Sequence, residues 1–148
     1  VNRMKVIVGS DHAGFNFKKM ILSHLAKNGH QVLDAGPEDT TSCDYPHYAF
    51  KVARAVAGGE CDRGVLICGT GLGMSYAANR VKGIRAALCM NEYQARLSRA
   101  HNDANILVLG ERVIGPDLAL SILEIWLEAE FESGRHQRRI ELLDQVDG

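Results

Sequence analysis

The chain has 148 residues, 46% of them hydrophobic, 24% charged and 6% aromatic, with a formal net charge of -1. A chain this long buries about 68–70% of its unfolded surface, so one domain is expected over residues 1–148, and the ordinary composition excludes disordered, collagen-like and disulfide-scaffold classes. The near-neutral charge supplies no overall field toward nucleic acid or an anionic membrane, so neither is expected as a partner and a bound anion needs a local cluster.

Val1 to Lys5 lead into an apolar run and not a signal-peptide pattern, and no apolar run approaches the roughly 18 residues of a spanning helix, which points to the cytoplasm. Val1, Asn2 and Arg3 carry no functional weight. Residues 4–8 form the first predicted strand. Phe15, Lys19, Leu22 and Leu25 then fall at helical spacing, and residues 31–33 predict a second strand. Tyr48, Val52 and Val56 mark the next helix, followed by a strand at 64–67, a strand at 84–89, a helix from near Asn91 and a strand at 105–109. Leu118, Ile122, Ile125 and Trp126 mark a further helix, and residues 135–146 predict a last amphipathic helix carrying Ile140, Leu142, Leu143 and Val146.

Continuously apolar strands alternating with helices imply a parallel sheet covered on both faces. The expected fold is α/β: a three-layer, open, Rossmann-like sheet of five parallel strands with an extra C-terminal helix. Gly29, Gly58, Gly59 and Gly83 stand where helices should stop.

Open parallel sheets bind ligands beyond the carboxyl ends of their strands. Three such segments stand out: Gly9-Ser10-Asp11-His12, Cys68-Gly69-Thr70-Gly71-Leu72-Gly73 and Asn91-Glu92. Alternate glycines between a strand and a helix leave backbone N–H groups uncovered, which makes the second an anion cradle. It is neither a P-loop nor the dinucleotide fingerprint G-x-G-x-x-G, and turns of this kind also arise for structural reasons alone. Cys68 opens that loop near a helix start, where the dipole and free N–H groups favour a thiolate able to act as a base; the alternative is a buried strand-end thiol, the reading given to Cys89. Cys43 and Cys61 have no evident partner, and no C-x-x-C pair occurs, so the four cysteines are expected to be free thiols without a metal.

His101, after the helix predicted from near Asn91, is expected to emerge near the same edge of the sheet as Cys68, where it can exchange protons near neutral pH. A helix-end histidine also serves as a cap. Arg135 and Arg139, spaced i,i+4, can grip a phosphate together or form a solvated basic face; Arg112, after the fifth strand, carries the same two readings.

Together, Ser10 to Phe15, Asp44-Tyr45-Pro46-His47-Tyr48-Ala49, the loop from Cys68 to Gly73, Ala77-Ala78-Asn79, His101-Asn102-Asp103-Ala104-Asn105 and Gly134-Arg135-His136 resemble ribose-5-phosphate isomerase type B across nearly the whole chain. That family has close relatives acting on allose 6-phosphate and galactose 6-phosphate. The resemblance implies a metal-free, cofactor-free aldose-ketose isomerase of the pentose phosphate pathway, working on a small sugar phosphate through an enediolate. In that case Cys68 matches the base and Thr70 the hydroxyl that helps move a proton between O1 and O2. The N–H groups of Gly69, Gly71, Leu72 and Gly73 match the anion hole. His101 matches the acid that opens the furanose ring, while Asp11, His12, Asn102, Arg112, Arg135 and Arg139 match substrate and phosphate contacts. Family members are dimers whose site draws on both subunits, so a homodimer, or a tetramer built as a dimer of dimers, is implied. A subgroup that lacks the cysteine uses a glutamate in the glycine-loop region; here that position is Met74. A non-catalytic sugar-phosphate binder and a thiol redox protein are the competing readings.

Overall fold

The computed structural model describes residues 3–146, so Val1 and Asn2 of the first three positions lie outside it. Five strands form one sheet: β1 (Lys5–Ser10), β2 (Gln31–Gly36), β3 (Arg63–Cys68), β4 (Ala86–Leu88) and β5 (Ile106–Gly110), in the order β2-β1-β3-β5-β4. Every neighbouring pair is parallel. Six α-helices connect and flank them: α1 (Phe15–Lys27), α2 (Tyr45–Ala57), α3 (Leu72–Ala78), α4 (Glu92–Ala100), α5 (Pro116–Glu128) and α6 (Arg135–Asp144). The α/β expectation, with its parallel five-stranded sheet and extra last helix, is met.

The period-two alternation of strand side chains builds a core on each face. Val6 and Val8 of β1, Val65 and Ile67 of β3 and Leu107 and Leu109 of β5 pack with Phe17, Ile21 and Leu25 of α1 and with Ile122, Leu123 and Trp126 of α5. Ile7, Leu66, Cys68, Ile106 and Val108 point the other way, onto Val52 and Val56 of α2 and Met74 and Ala78 of α3. Each apolar strand residue therefore has a partner layer, which is why the strands read as unbroken hydrophobic runs.

The chain leaves β1 for β2 on one side and later returns to β3 on the other. The loops after these adjacent strands thus feed helices on opposite faces, opening a crevice at their carboxyl ends. Close packing frames that crevice: a β-carbon at Gly14 would lie 2.5 Å from the Ile67 carbonyl oxygen.

Several boundaries differ from expectation, with β1 and β2 running on to Ser10 and Gly36. β4 is a three-residue edge strand and not the six residues 84–89. Ile84 is held in a turn by the Val81 carbonyl, and Asn79 clamps the free side of Ala86, accepting from its N–H at 2.8 Å and donating to its carbonyl at 3.0 Å. A side chain that occupies the outer hydrogen-bonding groups ends an edge strand as effectively as a proline. Gly83, at φ +89, sits in this turn and not at the end of α3, whose last residue is Ala78, whereas Gly29 and Gly59, at φ +86 and +80, follow α1 and α2 directly. α6 stops at Asp144, two residues early.

Candidate active site

Cys68 is the last residue of β3, and its side chain is 5% exposed. The sulfur is not enclosed by apolar groups alone, because the backbone N–H of Gly71 donates to Sγ at 3.1 Å. That bond needs the tight turn of Gly71, whose φ is +83 and whose absent side chain leaves room for Leu88: a β-carbon there would lie 2.4 Å from Leu88 Cδ1. Burial raises the pKa of two other thiols, Cys61 and Cys89, the latter to about 11. The structural reading of those two therefore stands.

Thr70 is exposed, and its Oγ1 accepts from the Leu72 N–H at 3.2 Å. Gly73 lies beneath the Tyr45 ring, which an added β-carbon would approach to 2.7 Å. Tyr45 is thus part of the wall around the loop, a role that its position at the start of α2 gave no means of assigning. From β5, Glu111 N–H donates to the Cys68 carbonyl at 2.9 Å and Arg112 N–H to the Gly69 carbonyl at 3.0 Å. A β-carbon at Gly69 would stand 3.4 Å from Arg112 Nη1, so this guanidinium lies over the loop. Glu111 also accepts from the Phe17 N–H at 2.7 Å, tying the β5 turn to the first turn of α1.

The β1 loop completes this side of the crevice. Asp11 Oδ1 accepts from Ala13 N–H at 2.9 Å and Gly14 N–H at 3.1 Å, holding a short 3-10 turn (His12–Gly14). His12 Nδ1 accepts from the Cys43 N–H at 3.3 Å. A backbone N–H only donates, so Nδ1 carries the lone pair and neutral His12 keeps its proton on Nε2.

His101 does not join this group. Parallel pairing sets Cys68 opposite Gly110 and Gly64 opposite Ile106. His101 and Asn102 lead into β5 from the Ile106 end, so they lie at the amino edge of the sheet, beyond a strand about 13 Å long. The expectation that His101 emerges near Cys68 is therefore wrong for one chain: a helix that follows a strand runs back to the opposite edge. At that edge the Asn102 turn is anchored by Asp103, which accepts from the buried Arg99 guanidinium at 2.8 Å.

Two further side chains, those of Glu132 and His136, stand against His101. Glu132 N–H donates to the Ala100 carbonyl at 2.9 Å, bringing the start of α6 against the end of α4. The His136 ring stacks on His101, with centroids 4.2 Å apart and planes 12° from parallel. Glu132 Oε1 stands 3.6 Å from His101 Nε2 and 3.7 Å from His136 Nε2. Arg135 and Arg139 are both exposed on the same helix. Sequence reasoning nominated neither Glu132 nor His136, although their i,i+4 spacing was visible. The site residues expected from sequence thus fall into two separate groups: Asp11, His12, the loop from Cys68 to Gly73 and Arg112 at the carboxyl edge, and His101, Asn102, Arg135 and Arg139 at the amino end.

Residues 6–143 match the model of the ribose/galactose isomerase family. The chain belongs to this family. It is an isomerase, which sets aside the non-catalytic binder that the loop and arginines alone left open. It is 51% identical over 143 residues to ribose-5-phosphate isomerase B of Escherichia coli (strain K12), covering 97% of this chain and 96% of that one. Its backbone superposes on the Clostridium thermocellum ribose-5-phosphate isomerase B with a TM-score of 0.95 at 58% identity, over 96% of each chain. The Mycoplasma genitalium family member, whose crystal structure holds ribulose-5-phosphate, gives 0.92 at 43% identity, over 95% of this chain and 94% of that one. Among the described residues no helix is long and apolar enough to cross a membrane.

Proposed function

We propose that the protein interconverts ribose 5-phosphate and ribulose 5-phosphate in the pentose phosphate pathway of the cytoplasm, as a homodimer that needs no cofactor. The observation that carries this reading is the Gly71 N–H aimed at Cys68 Sγ at the head of the glycine loop, in a chain of the ribose/galactose isomerase family.

The chemistry follows from what the loop offers. Cys68, as thiolate, takes the proton from C2 of the open-chain aldose and returns it to C1. The electrons released move onto the carbonyl oxygen and give an enediolate. That proton is weakly acidic, so the step depends on donors already aimed at the developing oxyanion, and loss of one donor costs about 10²–10³ in rate. The N–H groups of Gly69, Gly71, Leu72 and Gly73 serve here, and the Thr70 hydroxyl passes a proton between O1 and O2. Asp11 and His12 orient the sugar hydroxyls.

The ring must first be opened, and His101 is the acid for it. Because His101 lies at the opposite edge from Cys68 in its own chain, a second copy delivers it, together with Asn102, Arg135 and Arg139 for the substrate and its phosphate, while Arg112 reaches in over the loop. Exposed Leu72, Tyr76, Met90 and Tyr93 beyond the carboxyl ends of the strands, and Leu142 and Leu143 on α6, support such an apolar contact.

The test is turnover of ribose 5-phosphate by the purified, chelator-treated protein. Cys68→Ala should abolish it, and with it the entry of solvent deuterium at C1 and C2, while the unfolding transition persists. Full activity in that variant removes Cys68 as the base. Comparing kcat/KM for ribose 5-phosphate, allose 6-phosphate and galactose 6-phosphate ranks the substrates.

A further inference from the structure

We propose that His101, Glu132 and His136 form a binding site for one divalent transition-metal ion of the zinc type, and that its occupation takes His101 out of use. Two imidazoles and one carboxylate are a donor set that suits Zn²⁺, leaving a fourth position for water. Metal–nitrogen and metal–oxygen bonds of about 2.0–2.2 Å put tetrahedral ligand atoms about 3.3 Å apart. The separations of 3.6 and 3.7 Å from Glu132 Oε1 to the two Nε2 atoms are within a few tenths of that, and all three ligand atoms lie within 4.8 Å of one another.

The frame is largely built. Glu132 and His136 are spaced i,i+4, the Glu132 N–H is tied to Ala100, and the His136 side chain is 11% exposed. The rings stack nearly parallel, so capture requires one of them to turn. His101, 36% exposed, is the free one, and the outer torsion of histidine is soft. The Arg135 and Arg139 charges near His136 oppose a dication, which suits a reversible inhibitory occupant better than a permanent structural ion. Binding stands on this geometry alone; the inhibition rests on the role proposed for His101, because a nitrogen that ligates metal has no proton to give.

The measurement is titration of the chelator-treated full chain with Co²⁺, read by tetrahedral visible absorption, and with Zn²⁺ by calorimetry, alongside turnover. One ion per chain is expected, retained in Cys68→Ser. Loss of an outer partner of a metal ligand weakens binding about 10–100-fold, so losing a ligand in Glu132→Gln or His136→Ala should weaken Zn²⁺ at least about tenfold. The exposed Glu132 provides the test should the buried His136 variant fail to fold. Binding that disappears in Cys68→Ser and persists in Glu132→Gln places the ion on the thiol and overturns the proposal, as does no stoichiometric binding. Turnover without metal binding sinks this inference alone. Metal binding without turnover leaves the binding site standing and sinks the proposed ribose 5-phosphate reaction.

Discussion

Single atoms distinguish otherwise similar residues, and the proposed base is one such case. Four free cysteines look alike in sequence, yet only for Cys68 does a loop N–H meet the sulfur, whereas burial suppresses ionisation of Cys61 and Cys89. The glycines follow the same logic. Gly71→Ala must place a β-carbon against Leu88 at a positive φ, so we expect about 1–3 kcal/mol of destabilisation by urea unfolding and a turnover loss of about 100-fold or more from the misaimed donor. Another residue-scale effect concerns pH. His30 is 8% exposed and accepts the Met4 N–H through Nδ1, and burial lowers its pKa from 6.5. The unfolded chain then binds the proton more readily, so the His30 contribution is complete above pH 6.5 and is lost as pH falls below it. His30→Asn should flatten the fall in Tm between neutral and mildly acidic pH; an unchanged slope would clear His30 of that role.

Elements were the most legible scale. Unbroken apolar runs located all five strands, and helical spacing or a break in the apolar pattern located every helix between them except the short α3, because most apolar strand residues face one of two covering layers. Where the reading failed, a contact distant in sequence intervened. The 84–89 run is as apolar as its neighbours, and nothing in it reveals that Asn79 will clamp Ala86. Asn79→Ala removes both bonds at an edge strand and should cost about 1–3 kcal/mol. Asn79→Asp keeps the acceptor for the Ala86 N–H and should fall between the two in urea midpoint. Equal midpoints for all three would mean that the clamp contributes nothing. The stacked pair of His101 and His136 was equally hidden, since it forms only when α6 folds back onto the end of α4.

The whole molecule is where sequence order misleads most. His101 follows a helix and precedes a strand, and chain order suggests a neighbour of Cys68; the parallel register places it at the opposite edge. Asp11, Gly69 to Gly73 and Arg112 each follow a strand of the same sheet, so their common edge could be read from chain order. The proposed constellation would need two chains arranged about a two-fold axis, each giving its thiol and loop to one site and its histidine and arginines to the other. Mixing Cys68→Ala and His101→Asn chains, unfolding them together and refolding tests this directly, because hybrid dimers hold one intact site. Random pairing of equal amounts should restore about a quarter of wild-type turnover from two nearly inactive parents. A refolded mixture no more active than the average of its parents would contradict the shared site.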